Sequence, residues 1–222
     1  MKLLNLKKKP SLYKSESVKS ASESTGSWFT TDQTEIKQRA AAAQMSSSGR
    51  PPEFYLKENE EKTIRLLCSQ PIAQFRQYTI KVNGKHHTVT APPADEDLFA
   101  EQGHKARMVF LYVVVDYEGY TDKAGKPHKN LVRYWVVGNR VYQQLAKYHE
   151  KLGKLTAADL TISRTGTGTS TVYSIIPSPP SPMPPKAKAA ADKEGPELKS
   201  EDSLKKHYSP PSMKAQRGLL NV

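Results

Sequence analysis

The sequence predicts a mainly β protein: a small barrel of about six short strands with one helix between strands, flanked by disordered basic arms. Three observations carry this reading. Of the 18 aromatic residues in the 222-residue chain, 14 lie between Pro51 and Pro177. Within that stretch apolar residues recur at every second position, the period of strands that bury one face. Outside it the composition turns to serine, proline, alanine and lysine, which bury too little apolar surface to offset chain entropy. The expected limits are therefore an N-terminal arm at 1–50, a core at 51–177 and a Pro/Ala/Lys-rich disordered tail at 178–222. The single cysteine, Cys68, excludes a disulfide framework and any multi-cysteine zinc ribbon, so burial has to hold the core, and it fits a reducing compartment.

Residues 1–50 carry nine Lys/Arg against four Asp/Glu. Their one structured element is a weak helix at 32–44, where Asp32 and Glu35 resemble a capping box and Ile36, Ala40 and Ala43 form a thin apolar stripe. At 62–69, Ile64, Leu66 and Cys68 alternate inward. At 74–82, Tyr78, Ile80 and Val82 alternate against Phe75, Gln77, Thr79 and Lys81. Asn83-Gly84 then supplies the two positive-φ positions of a tight hairpin, with 86–90 returning as partner. The run 107–116 is apolar on both faces and reads as a central strand, joined by a long polar loop at 117–130 to a strand at 131–137. Here the period changes: Val141, Leu145, Tyr148 and Leu152 recur at helical spacing over 139–152, with Asn139 as N-cap and Gly153 as stop. Strands at 160–165 and 170–176 close the domain around Gly166-Thr167-Gly168. Six strands interrupted by one helix suit a small closed barrel better than a sandwich, and OB-type barrels carry a helix between strands in this manner. The run Pro177-Ser178-Pro179-Pro180 opens the tail as a semi-rigid spacer.

The charge points to a polyanion. Lys+Arg total 34 against 22 Asp+Glu, a net charge of +12 and a pI near 9.6, so nucleic acid or an anionic membrane surface is the natural partner. With mean hydropathy −0.67 and no apolar run near 18 residues, no segment is expected to span a bilayer. The opening residues turn to Lys7-Lys8-Lys9-Pro10 before a signal peptide develops, so a soluble, non-secreted protein is expected. Catalytic constellations are poor. Gly166 and Gly168 lack the Gly-Lys-Ser/Thr of a phosphate-binding loop and read as a turn. His86, His87 and His104 with Asp95, Glu96 and Asp97 read as solvated loop residues rather than metal ligands, because adjacent strand histidines point to opposite faces. Cys68 alternates with Ile64 and Leu66 and reads as structural. A non-enzymatic protein without metal or cofactor is expected.

Single-strand binders need cations for phosphates and ring faces for bases. If Val132, Tyr134 and Val136 face the core, Arg133 and Trp135 lie together on an exposed face. Turning Tyr78, Ile80 and Val82 inward leaves Phe75 and Lys81 outward, with Arg65, Arg76, Lys85 and Arg107 close to the same sheet and Tyr117 and Tyr120 in the long loop. These ten residues are the expected DNA-binding set. The alternative is that Trp135 packs under the Pro-rich tail or the flanking helix and that the cations are ordinary surface charge.

Residues 53–67, with Arg107-Met108-Val109-Phe110-Leu111-Tyr112, Tyr134-Trp135-Val136-Val137-Gly138-Asn139-Arg140-Val141-Tyr142 and Ile162-Ser163-Arg164-Thr165-Gly166, resemble bacteriophage single-stranded DNA-binding proteins of the T4-type helix-destabilising family. The resemblance spans roughly residues 28–177 and is most specific at 134–142. It implies an OB-fold, sequence-independent binding of single-stranded DNA in phage DNA replication, recombination and repair, and the cytoplasm of the infected bacterial host. It also implies a basic N-terminal arm that links neighbouring copies along the strand, with phage replication proteins as further partners. Two departures stand out. Many relatives carry a zinc-binding His/Cys insertion where this chain has Ala91-Pro92-Pro93-Ala94-Asp95-Glu96-Asp97. Relatives tend to end in an acidic tail, whereas residues 178–222 sum to +3. The competing readings are a structural or regulatory phage protein docking on an assembly such as RNA polymerase, and a metal-dependent nuclease, for which Asp95 to Asp97 would be the carboxylate source.

Overall fold

A computed structural model describes residues 52–122 and 124–220. The expected arm at 1–50, with its helix at 32–44, lies outside the described residues. The strands are β1 (Glu61–Leu66), β2 (Ala73–Val82), β3 (Lys85–Thr90), β4 (Arg107–Asp116), β5 (Tyr120–Thr121), β6 (Pro127–His128), β7 (Leu131–Gly138), β8 (Asp159–Thr165) and β9 (Val172–Ser178). The helices are α1 (Leu98–Glu101), α2 (Asn139–Leu152), α3 (Pro185–Leu198), α4 (Glu201–Tyr208) and α5 (Met213–Leu220). No helix among them is long and apolar enough to cross a membrane.

Seven strands form one antiparallel sheet in the order β3-β2-β4-β1-β8-β9, with β7 on the other edge of β4. β4 is the spine. Its first half pairs with β2 and its last three residues with β1, while residues 109–116 pair throughout with β7. Because β4 is apolar at both parities, it can bury both faces. Phe110, Tyr112 and Val114 join Ile64, Leu66, Trp135, Leu160, Ile162 and Ile175 in an inner core, which α2 closes with Val141 and Leu145. Leu111 and Val113 join Val132, Tyr134 and Leu198 on the outer face. A third cluster of Tyr78, Ile80 and Phe99 seats α1 and the end of α5 on the β2–β3 hairpin. In the hairpin turn Asn83 and Gly84 adopt φ of 49° and 78°, as a two-residue connection requires. α2 has the expected bounds, although Gly138 rather than Asn139 occupies the cap position, without a side-chain cap.

Two expectations are corrected. The sheet does not close into a barrel, because both edges that would meet are occupied. Along β7, Phe54 N–H donates to Tyr134 O (2.6 Å) and Tyr134 N–H to Pro52 O (2.9 Å). On β9 the Tyr148 hydroxyl of α2 donates to Ile175 O (2.9 Å), and Pro177 has no N–H to give. The tail at 178–222 is also not a disordered extension: residues 185–220 form three helices. Alanine is what permits this. Ala187 and Leu198 are buried, and Gly195 lies so close to Leu67 that a Cβ there would stand 3.2 Å from its Cδ1. The Tyr134 hydroxyl donates to Leu198 O at 2.7 Å. α4 begins on a Ser200 side-chain cap and carries Glu201 and Asp202 in its first turn and Lys205, Lys206 and His207 in its last, which complements the helix dipole.

Candidate nucleic-acid interface

The β2–β3 register pairs Gln77 with Thr90, Thr79 with Thr88 and Lys81 with His86, and the β2–β4 register adds Arg107 opposite Gln77. Paired residues share a face, so this polar row lies on the side opposite the buried Tyr78 and Ile80. Gln77, His86, Thr88, Thr90 and Arg107 of this row form the floor of a groove of about 830 Å³, walled by the 53–56 segment, Tyr173 and the chain from the end of α4 to Pro211. Arg107 Nη2 donates to Gln77 Oε1 at 3.3 Å, which holds the guanidinium on the floor.

Tyr55 stands on the wall with 60% of its surface exposed, because its neighbours Phe54 and Leu56 point into the inner core. Arg164 fixes it. Arg164 Nη1 donates to the Tyr55 hydroxyl (2.7 Å) and to Leu56 O (2.6 Å), and the guanidinium lies 5.2 Å from the ring centroid. Arg164 is opposite Tyr173 in the β8–β9 ladder, and burial pushes the Tyr173 phenol up despite the nearby Arg164 charge. The Tyr173 phenol is therefore neutral near pH 7, beside an Arg164 guanidinium that its hydrogen bond to Tyr55 keeps charged. At the end of α4 the Tyr208 hydroxyl donates to Glu53 Oε1 at 3.0 Å. Chemically the groove offers ring surface, hydroxyl and amide groups and cations, an arrangement that suits a flexible polyanion carrying planar groups.

The expected DNA-binding residues divide. Arg107 lines the groove; Lys81 is exposed on the floor's face of β2 near the hairpin tip, whereas Lys85 pairs with Val82 and so stands exposed on the face of Tyr78 and Ile80, away from the groove. Arg76 is exposed on the opposite parity of β2. Phe75 shares the groove's face but is covered by the Tyr208 ring, 5.2 Å away. Arg133 and Trp135 do share a face, yet it is the inner one, which corrects the expectation of an exposed pair. Trp135 is only 4% exposed and meets Phe54 edge-on at 6.0 Å. Arg133 is drawn in by the buried Asp116 carboxylate (3.3 Å) and stands 4.8 Å from the Tyr120 centroid. Tyr120 is half exposed, and its ring also stacks on His128 at 5.0 Å. Arg65 and Tyr117 meet elsewhere, around the buried Asp159: Arg65 Nε donates to Asp159 Oδ1 at 2.8 Å and the Tyr117 hydroxyl at 3.3 Å. Burial, and then the Asp159 charge, push the Tyr117 phenol up to about 12. Both serve the fold there rather than the groove.

Tyr55, Arg164, Tyr173 and His86 are the groove residues that sequence reasoning missed. The Phe54/Leu56 alternation already placed Tyr55 outward, whereas the Arg164–Tyr173 pairing becomes visible only with the ladder register. His86 lies on β3, not in a loop. Cys68 is half-buried, its Sγ accepts from Val113 N–H at 3.4 Å, and burial pushes its thiol up. Among the described residues no three His, Cys, Asp or Glu side chains gather as a metal-ligand set. Comparison with known proteins finds no matching family model and no matching curated sequence.

Proposed function

We propose that this chain binds single-stranded DNA without sequence preference, as a phage protein of the T4-type helix-destabilising kind. It protects and extends the strand during replication, recombination and repair in the infected cell and catalyses no reaction. The observation that carries this reading is the groove: an exposed Tyr55 ring held by Arg164, beside Tyr173 and above the Arg107 floor. Ring faces stack only on bases that are not already paired and stacked, and every base has such a face, so the chemistry favours single strands of any sequence. Strand order supports an OB-type relation. Taken without the β2–β3 hairpin, α1 and the separate β5–β6 ribbon, the core runs β1, β4, β7, α2, β8, β9, five strands with a helix after the third, in a partly open arrangement. The basic arm at 1–50 adds phosphate contacts or links neighbouring copies. The test is titration of a dye-labelled oligo(dT) with groove variants, set beside variants of Arg65 and Tyr117, which leave the groove intact.

A further inference from the structure

We propose that α4 is a lid over a second base-stacking platform, built by Phe75 with Tyr134 behind it, and that a single strand lying in the groove displaces α4 to reach it. This rests on the single-strand reading above. The platform continues the groove: Phe75 is two residues from Gln77 on the same face of β2, and Tyr208, which covers Phe75, already lines the groove wall. A strand following the floor from His86 past Gln77 runs into Tyr208. The Tyr134 ring lies behind at 5.4 Å from Tyr208.

The cover is the weakest element of the C-terminal segment. α4 has eight residues and none is buried, and a helix of that length has little stability of its own. It grips the sheet through Leu204 and Tyr208, the Ser203–Tyr134 hydroxyl pair (2.8 Å) and the Tyr208–Glu53 hydrogen bond. Its neighbours are pinned. α3 buries Ala187, Gly195 and Leu198. α5 buries Gln216, whose Oε1 accepts from Leu98 N–H (2.9 Å) and whose Nε2 donates to Glu96 O (2.9 Å). The chain is therefore fixed at both ends of α4 and free to bow between Ser200 and the Pro210-Pro211 pair. A ligand shifts such a two-state element only through contacts available in one state. The Phe75 face is such a contact, because it is bare only when Tyr208 has left.

Hydrogen exchange of the full chain, free and with oligo(dT), tests this. Amides of 201–208 should exchange faster in the complex while those of α3 and α5 do not; slowed or unchanged exchange in α4 overturns the lid. Leu204→Ala, which loosens α4, should bind oligo(dT) about 5-fold tighter or more, and Phe75→Ala in that background should remove the gain. Unaltered or weaker binding by Leu204→Ala also overturns the lid. Oligo(dT) binding without either effect removes the lid alone, whereas no binding at all removes the single-strand reading and the lid with it.

Discussion

Trp135 and Asp159 show how single residues divide between core and site. The indole sits between Phe54 and Tyr112 in the inner core, so Trp135→Ala should cost about 3–5 kcal/mol of stability, read from urea unfolding. A variant as stable as the parent would contradict the core assignment. Asp159 is buried with Arg65. Burial alone would push its carboxyl up, but hydrogen bonds from Arg65 and Ser181 N–H hold it below the usual carboxylate range. A depressed carboxyl stabilises the fold above its ordinary range, and that stability is lost as pH falls through the folded value. Asp159→Asn should therefore flatten the acid limb of a stability-versus-pH curve and lower stability at pH 7; an unchanged acid limb would contradict this. That Arg133 and Trp135 share a face was legible from period two. Which face was not, because 131–138 is apolar at both parities and the cover over Val132 and Tyr134 comes from a segment whose composition reads as a tail.

At the level of elements, local signals carried furthest where one turn or one stripe decides the outcome. Asn83-Gly84 sets the hairpin, and the Val141, Leu145, Tyr148 spacing sets α2 to its end residues. The C-terminal helices were illegible because their burial rests on small residues: Ala187 and Gly195 allow close approach without any apolar run. Truncation after Ser178 should consequently expose Val132 and Tyr134, lowering the thermal midpoint sharply or driving aggregation; an unchanged midpoint would return the tail to a dispensable extension. The groove is an element-scale object as well, since its floor exists only when β2, β3 and β4 pair. Tyr55→Ala should weaken oligo(dT) binding by about 1–3 kcal/mol, as loss of one stacked base does, and Arg107→Gln should weaken it with a shallower salt response. Both should unfold at the parent's urea midpoint. Parent-like affinity in folded Tyr55→Ala and Arg107→Gln proteins would remove the groove from the binding surface.

Across the whole molecule the net charge is +12, and the β4–β7 part of the sheet is covered on both faces, so the binding surface we propose is a groove at the sheet's margin. The sequence showed the charge and the β core, and from the charge came the expectation of a polyanion. It could not show the groove, which is assembled from four separate segments, at Tyr55, Arg107, Tyr173 and Tyr208, spread over most of the described chain. Anisotropy of a dye-labelled oligo(dT), titrated over a series of salt concentrations beside a duplex of equal length, is the most direct measurement. Arg107, Arg164 and Lys81 together predict a log affinity that falls with log salt at a slope of about −2, at about −0.7 per phosphate on a single strand, and weaker binding of the duplex at every salt. A flat salt response, or equal affinity for the duplex, would contradict the account.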